Sequence, residues 1–246
     1  MKLSVVIPAH NEAESLPMTL NDLDEALRSA SIPNEIVVVN DHSTDKTKQV
    51  IDELSKKIPT LVLINNPYVK GFGMTVRSGL EQSTGDCIAI MMADRSDNPS
   101  DLVRFYQEMM QSGVDCVFGS RFMRGAVVDD YPKIKWILNR LANNLVRLVF
   151  GIRYNDVTNA FKLYRKSTID GLKPFLSPQF NLTLELPLKA IVRGYTYVIL
   201  PNDWSNRRYG KSNLRIKEMG SRYFFIFLYC LIEKYFSKGD YHKSEK

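Results

Sequence analysis

Two carboxylates three residues apart, Asp94 and Asp97, follow a short apolar run, Ile88-Ala-Ile-Met-Met92, and lead into Asn98, Pro99 and Ser100. The run has the length and character of a strand buried on both faces. In an open α/β sheet, ligands sit outside the carboxyl ends of the strands. Acids at such an end are placed to hold a hard cation, Mg2+ or Mn2+, and through it a phosphate. The same residues, Asp97-Asn98-Pro99-Ser100, also read as a turn and a helix cap. Three more strand ends carry polar groups: His10-Asn11-Glu12, Asp41 to Asp45, and Lys70-Gly-Phe-Gly73. In a parallel sheet these ends gather along one edge. Acids after the first two strands suit a nucleoside, whose base N–H groups and ribose hydroxyls donate to carboxylates. Lys70 with two glycines suits backbone approach to an anion at a helix start. No Gly-x-Gly-x-x-Gly follows the first strand and no Gly-Lys-Ser/Thr loop is present, which disfavours a dinucleotide fold and a P-loop. A nucleotidyltransferase would need a Gly-rich basic loop after the first strand, and that stretch has none.

The elements that must position these groups alternate. Leu3 to Pro8 reads as a strand that Pro8 ends. Asn11 is set to cap a helix with Glu14 at the capping-box position, and Leu16, Leu20, Leu23 and Leu27 recur at helical spacing. Glu35 to Val39 is a second strand, and Ser43 or Thr44 is set to cap a helix bearing Val50, Ile51 and Leu54. Leu61 to Ile64 is a third strand, Lys70 to Leu80 opens and carries a helix, and the acid-tipped strand is fourth. A helix over Leu102 to Met110 and a strand over Asp115 to Phe118 follow. The fold class is therefore α/β, a mostly parallel, twisted central sheet with helices on both faces.

Past residue 120 the texture changes. Lys133 to Phe150 is helical with a broad apolar face of Ile134, Ile137, Leu138, Leu141, Leu145, Leu148 and Val149. Asn159 to Tyr164 and Tyr195 to Leu200 read as strands, and Leu182 to Val192 as a helix. The loop Asn202 to Asn213 is polar and basic, and Leu214 starts a last helix. With no linker visible, one domain over 1–246 is expected: a donor half (1–120), an acceptor half (121–213), and a C-terminal helix with a basic tail (214–246).

Composition is that of a soluble globular chain: 246 residues, 44% hydrophobic, 24% charged, net charge +6. That mild excess suits an anionic small ligand or a membrane surface, and nucleic acid is not expected. Three unclustered cysteines, Cys87, Cys116 and Cys230, exclude a disulfide framework or zinc site and point to a reducing, cytoplasmic location. No leader is read at the N-terminus. The longest apolar run, Tyr223 to Ile232, is ten residues, against the ~20 that span a bilayer. Its flanks, Arg215, Lys217, Arg222, Lys234 and Lys238, suit a helix lying at an anionic membrane surface, peripheral on the cytoplasmic face. A core or dimer helix reads equally well and leaves homo-oligomerisation open.

Val5-Val-Ile-Pro-Ala-His-Asn-Glu12, Val37-Val-Val-Asn-Asp-His-Ser-Thr-Asp45, Gly85-Asp86 and Ala93-Asp94 resemble the family 2 glycosyltransferases of GT-A fold. Phe118-Gly-Ser-Arg-Phe122, Asp156-Val-Thr-Asn-Ala-Phe-Lys-Leu-Tyr164 and Asn206-Arg-Arg-Tyr-Gly-Lys-Ser-Asn-Leu214 resemble the dolichyl-phosphate mannose synthase branch, over residues 3 to about 215. That branch moves a sugar from a nucleotide-sugar to a polyprenyl phosphate.

The resemblance implies that Pro8, His10, Glu12, Val39 and Asp41 line the base and ribose site, His10 standing where the family often has Tyr. It places Ala93 and Asp94 at the diphosphate and metal, Arg207 on the donor phosphates, and Arg121 on an acceptor phosphate or the donor. Asn213 stands at the branch's final Lys, with Lys211 as a substitute charge. One departure matters: the first acid of the family's Asp-x-Asp is Met92, and Ser96 replaces the usual Gln. A thioether is no ligand for Mg2+ or Mn2+, so Asp94 holds the ion alone unless Asp97 turns inward. The expected reaction is inverting transfer from a GDP- or UDP-linked sugar to a dolichyl or undecaprenyl phosphate, with Asp94, Arg207 and Arg121 as the catalytic set and Arg140 or Lys162 as further phosphate contacts. Were the acceptor a glycan hydroxyl, Glu185 or Asp156 would be the base. A nucleotide-sugar-binding subunit without turnover is the remaining alternative.

Overall fold

The computed structural model describes residues 1–207 and 216–243. The expected alternation is present from the start: β1 (Leu3–Ala9), α1 (Leu16–Ser29), β2 (Asn34–Asn40), α2 (Thr47–Ser55), β3 (Leu61–Asn65), α3 (Phe72–Gln82), β4 (Cys87–Ile90), α4 (Pro99–Ser112) and β5 (Cys116–Ser120). A two-residue strand β6 (Val128–Asp129) leads to α5 (Lys133–Phe150). β7 (Lys162–Arg165), α6 (Lys166–Gly171), α7 (Leu182–Val192), β8 (Tyr197–Pro201), β9 (Trp204–Ser205) and α8 (Ile216–Phe236) complete the described chain.

The main sheet has the order β3-β2-β1-β4-β7-β5-β8. All its pairings are parallel except those of β7, which is antiparallel to both β4 and β5. Along β1, Leu3, Val5, Ile7 and Ala9 pack with α1, α2 and α4, while Val6 faces α3. Alternate residues of a strand point to opposite faces, so this sheet needs apolar residues at every position and is covered on both sides.

Several local expectations are corrected. β1 runs through Pro8 to Ala9, since Pro8 pairs with Val39 at the strand's end, where a missing N–H is tolerated. Asn11 does not cap α1: it has φ 56°, and its side-chain oxygen accepts from the Thr44 N–H (2.8 Å). Helix α1 starts later, at Leu16, with no side-chain cap. Neither Ser43 nor Thr44 caps α2. Asp45 accepts from the Thr47 N–H (2.9 Å) instead, and Ser43 Oγ accepts from the Asn11 N–H (3.1 Å). These loops are cross-braced to each other because both leave the same edge of the sheet. Asn98 does cap α4, accepting from Ser100 N–H (3.0 Å). The β7 reading of 159–164 shortens to Lys162–Arg165 because Asn159 turns its side chain onto Gly119 O and Asn202. Lys211, Asn213 and the Leu214 helix start lie outside the described residues.

At the opposite edge from the loops, Glu35 joins three segments. It accepts from Ser4 Oγ (2.5 Å), Lys2 Nζ (2.7 Å) and the N–H and hydroxyl of Thr84 (2.6 and 2.7 Å). Burial alone would raise its pKa, but these donors outweigh it and pull the carboxyl down to about 2. A depressed acid stabilises the fold above its unfolded pKa, 4.5, and that contribution is lost as pH falls through 2. Glu35→Gln is expected to cost about 2 kcal/mol at pH 7, with the gap to the wild type closing toward pH 2, as measured by denaturant melts across pH.

Candidate active site

The carboxyl edge of the sheet opens into a cavity of about 890 Å3. Of the groups singled out from sequence, Pro8, His10, Glu12, Asp41, Asp94, Asp97, Arg121 and Arg207 all line it. They come from the ends of β1, β2, β4 and β5 and from the segment after β9. Val39 and Ala93 are not among its walls. Val39 is an interior strand residue facing α3. Ala93 is buried and meets Thr19, whose hydroxyl donates to its carbonyl (2.9 Å).

The β4 turn is built by its own acids. Asp94 Oδ1 accepts from the Ser96 N–H (3.1 Å), and Asp97 Oδ2 accepts from the Met92 N–H (3.0 Å). Asp97 thus turns inward, and Met92 is in the cavity wall beside it. Burial pushes the Asp97 carboxyl up to about 7; the Met92 N–H partly offsets this and the neighbouring Asp94 charge adds to it. The other oxygen of Asp94, Oδ2, accepts from Arg207 Nη2 (2.7 Å), and Arg207 Nη1 lies 3.6 Å from Glu12 Oε1. One guanidinium therefore bridges the acids of two strand ends. Glu12 is raised by burial, against the hydrogen bond from Ser15 and the charge of Arg207.

Asp41 is held by Asn66 Nδ2 (2.8 Å) and the Gly71 N–H (3.1 Å). Its carbonyl accepts from His10 Nδ1 (2.7 Å). A carbonyl can only accept, so Nδ1 carries the proton and Nε2 is left to accept from Lys70 Nζ (2.7 Å). His10 thereby pins the Lys70 ammonium at the rim of the cavity. Gly73, at the start of α3, permits close packing of the Ser177–Gln179 segment, since a Cβ there would lie 2.3 Å from the Ser177 carbonyl. That packing brings Gln179 into the cavity wall.

The second half supplies the opposite wall. Arg121 donates to both oxygens of the fully buried Asp156 (2.8 Å each). Burial alone would lower its pKa, but the Asp156 charge outweighs this and keeps the guanidinium protonated. Phe122 and Tyr131 lie 5.5 Å from its carbon and Trp204 6.0 Å. Arg140 and Lys162 are absent from the described cavity wall. Arg140 stacks 3.6 Å from the Phe122 ring and donates to Asn155 O. Lys162 is buried, donating to the carbonyls of Val157, Asn159 and Thr183. Lys135 and Asn139 of α5 and Arg222 and Tyr223 of α8 line the cavity in their place. The recurrence of Lys135, Asn139 and Asn143 at every fourth position, opposite the apolar stripe of the helix, marks such a polar stripe in the sequence.

Both candidate bases are engaged. Glu185 is fully buried and accepts from the N–H groups of Leu176 and Ser177 and from Lys189 Nζ (2.7 Å each). Asp156 is occupied by Arg121. Among the described residues no group of three His, Cys, Asp or Glu side chains is assembled for a metal. Asp94 and Asp97 nonetheless offer oxygen alone, and one or two carboxylates completed by phosphates and water is the usual setting of Mg2+. A cation beside them also suits the buried Asp97, whose carboxylate, among the described residues, accepts from a neutral N–H, that of Met92. The residues fit a divalent ion that arrives with a diphosphate.

The glycosyl transferase family 2 model matches residues 4–172. The chain is 32% identical over 221 residues to the dolichol-phosphate mannosyltransferase of Pyrococcus furiosus, covering 88% of this chain and 60% of that protein. It is 28% identical over 221 residues to the polyprenol monophosphomannose synthase of Mycolicibacterium smegmatis, covering 85% and 80%. In structure it resembles glucosyl-3-phosphoglycerate synthase of Mycobacterium tuberculosis, crystallised with Mn2+, UDP and phosphoglyceric acid. The TM-score is 0.71 at 17% identity, over 94% of this chain and 78% of that one. That likeness identifies the GT-A arrangement of sheet and helices.

The His10–Lys70 pair gives a direct test of this end of the cavity. His10→Ala is expected to weaken binding of a nucleoside diphosphate about three- to tenfold, Lys70→Ala to do the same, and the double variant to be no worse than either. Isothermal calorimetry reads the binding. Thermal melts are expected to stay within about 0.5 kcal/mol of wild type, because both side chains are at the surface of the cavity.

Proposed function

The chain belongs to glycosyl transferase family 2, and from that membership we propose that it is an inverting glycosyltransferase that moves a sugar from a GDP- or UDP-linked donor to a polyprenyl phosphate. One observation carries the choice of acceptor. Every acid in the described cavity wall, Glu12, Asp41, Asp94 and Asp97, comes from the donor half, while the walls contributed after residue 120 hold Arg121, Lys135, Arg207 and Arg222 and no carboxylate. A hydroxyl acceptor needs a base to take its proton. A phosphate acceptor is already an anion and needs cations to place it. The relatives' names, a dolichol-phosphate and a polyprenol mannosyltransferase, support the same reading.

In this reading the donor half (1–120) binds the nucleoside between His10, Glu12 and Asp41, with Pro8 in the wall beside them. An acceptor phosphate oxygen attacks the anomeric carbon from the side of Arg121. The bond from that carbon to the donor's diphosphate oxygen breaks, and the diphosphate leaves with the electron pair. Arg207, aimed by Asp94 and Glu12, meets the charge that grows on the leaving group. Asp94 and Asp97 would hold Mg2+ or Mn2+ together with the diphosphate, and the ion would supply Lewis-acid neutralisation of that charge. The acceptor half (121–213) anchors Arg121 through Asp156, so its guanidinium does not need to be ordered when the phosphate arrives. The acceptor resides in a bilayer, so the enzyme works at a membrane surface.

Incubation with radiolabelled nucleotide-sugars is expected to place label in polyprenyl phosphate with Mg2+ or Mn2+ present, and not after chelation with EDTA. Asp94→Asn is expected to lower kcat at least about 100-fold. Label found only in free glycan would overturn the acceptor. Nucleotide binding without turnover for any donor would reassign the chain as a binding subunit.

A further inference from the structure

Lys162 is a buried charge that stands behind the described cavity wall. It opens β7. Leu163 packs on the side of α1 and α4, so Lys162 and Tyr164 point to the other side of the sheet, toward α7. An apolar side chain would fill the same volume without desolvating an ammonium, whose pKa burial pushes down to about 7 against the opposing charge of Asp156. What the ammonium supplies is donors. It has three N–H groups and no acceptor, and it meets three carbonyls: Val157 O at 3.1 Å, Thr183 O at 3.3 Å, and Asn159 O. Val157 and Asn159 lie in the turn before β7, outside the sheet. The Thr183 carbonyl is orphaned for a different reason. Its helical partner four residues on is Pro187, which has no N–H.

Both segments joined in this way face the cavity. Thr158, Asn159 and Ala160 line it from the turn, and Phe180 and Thr183 from the start of α7. The turn begins at Asp156, the counter-charge of Arg121. With an apolar side chain at 162, three carbonyl oxygens would face one another with no donor between them, and the turn would have to move for each to find one. We propose that Lys162 is a positioning residue for the transfer: by tying the 156–160 turn to the first turn of α7, it fixes the wall, and through Asp156 the Arg121 guanidinium, against which the acceptor phosphate is placed. This role rests on the reading of that wall as the acceptor's.

Lys162→Met removes the donors with little change in volume. In labelled transfer to a short-chain prenyl phosphate in detergent, its KM for the acceptor is expected to rise at least about tenfold. Its dissociation constant for a nucleoside diphosphate, read by calorimetry, is expected to stay within about twofold of wild type, since His10, Glu12 and Asp41 are held by other groups. A residue that only stabilised the fold would lower the active fraction, and so kcat, without moving the acceptor KM. Lys162→Arg keeps the charge and the donors and is expected to bring that KM back to within about threefold of wild type. Lys162→Gln, with two N–H donors, is expected to fall between, and it carries the comparison if the methionine variant does not fold. Hydrogen exchange read by mass spectrometry is expected to quicken across 155–161 in the variant that loses donors, with β1 to β3 unchanged. An unchanged acceptor KM, unchanged exchange across the turn, or a nucleotide affinity that falls as far as the acceptor's would overturn the assignment. Quickened exchange in the variant of a protein whose wild type transfers to no prenyl phosphate would leave the tie standing and remove the acceptor reading instead.

Discussion

The sheet is held together across its middle by one four-residue strand. β7 runs antiparallel between β4 and β5, so that Leu163 stands opposite Ala89 on one side and Val117 on the other. The flanking edges are buried, and buried backbone N–H and C=O groups need partners. Its direction matters as much as its bonds. An antiparallel strand enters the sheet at the edge where its parallel neighbours leave it. The residues just before β7, Asp156 to Asn159, are therefore delivered beside the β4 turn and the end of β5, where Asp156 anchors Arg121. The walls that the two halves of the chain contribute to the cavity meet because this strand is reversed.

The site that results is divided by charge. Strand ends of the first half bring acids, the second half brings cations, and Arg207 crosses between them onto Asp94 and Glu12. The two sides are made differently. The acids of the first half are braced by neutral donors, Asp41 by Asn66 and Gly71 from the loop after β3 and Asp97 by Met92 within its own turn. Arg121 is braced by a buried counter-charge. Losing one member of such a pair leaves an unpaired charge in a low-dielectric setting and costs far more than the pair contributes. Asp156 is thus committed to position and is not available as a base, as Glu185 is committed to Lys189 and two backbone N–H groups.

The same logic explains why the apolar stripe of α5 faces outward. α5 lies over the loop that enters β7, whose backbone groups at Asn155 and Val157 have no strand partner in the sheet. Arg140 and Asn143 satisfy them, so these polar residues must face inward, beside Val146 and Phe150. The apolar stripe of the helix is then left outside, where an ordinary surface helix would be polar. The cavity wall at Lys135 and the exposed stripe are two consequences of one choice of face.

Much of this was legible from sequence because it is local. The strand-end loops, Pro8 to Glu12, Asp41 to Asp45 and Met92 to Asp97, are continuous segments whose spacing encodes strand, turn and helix start, and the bounds of α5 follow from its periodicity. Periodicity gives a helix a face but not the direction in which the face points. That depends on what lies beneath, and so the outward turn of α5 was decided only by the tertiary structure. The same holds for Asn11 bonding to Thr44 in place of capping α1, for β7 entering antiparallel, and for Asp156 and Glu185 being spent on Arg121 and Lys189. Apart from Glu185 and Lys189, which lie one turn apart on α7, each joins segments distant in the chain, where the free energy of satisfying a buried polar group or charge outweighs local preference. The opening pair divides the same way. Asp94 was legible as a strand-end acid, but that Asp97 turns inward onto Met92, with Arg207 on Asp94, required the packing of β9 and the β4 turn against each other.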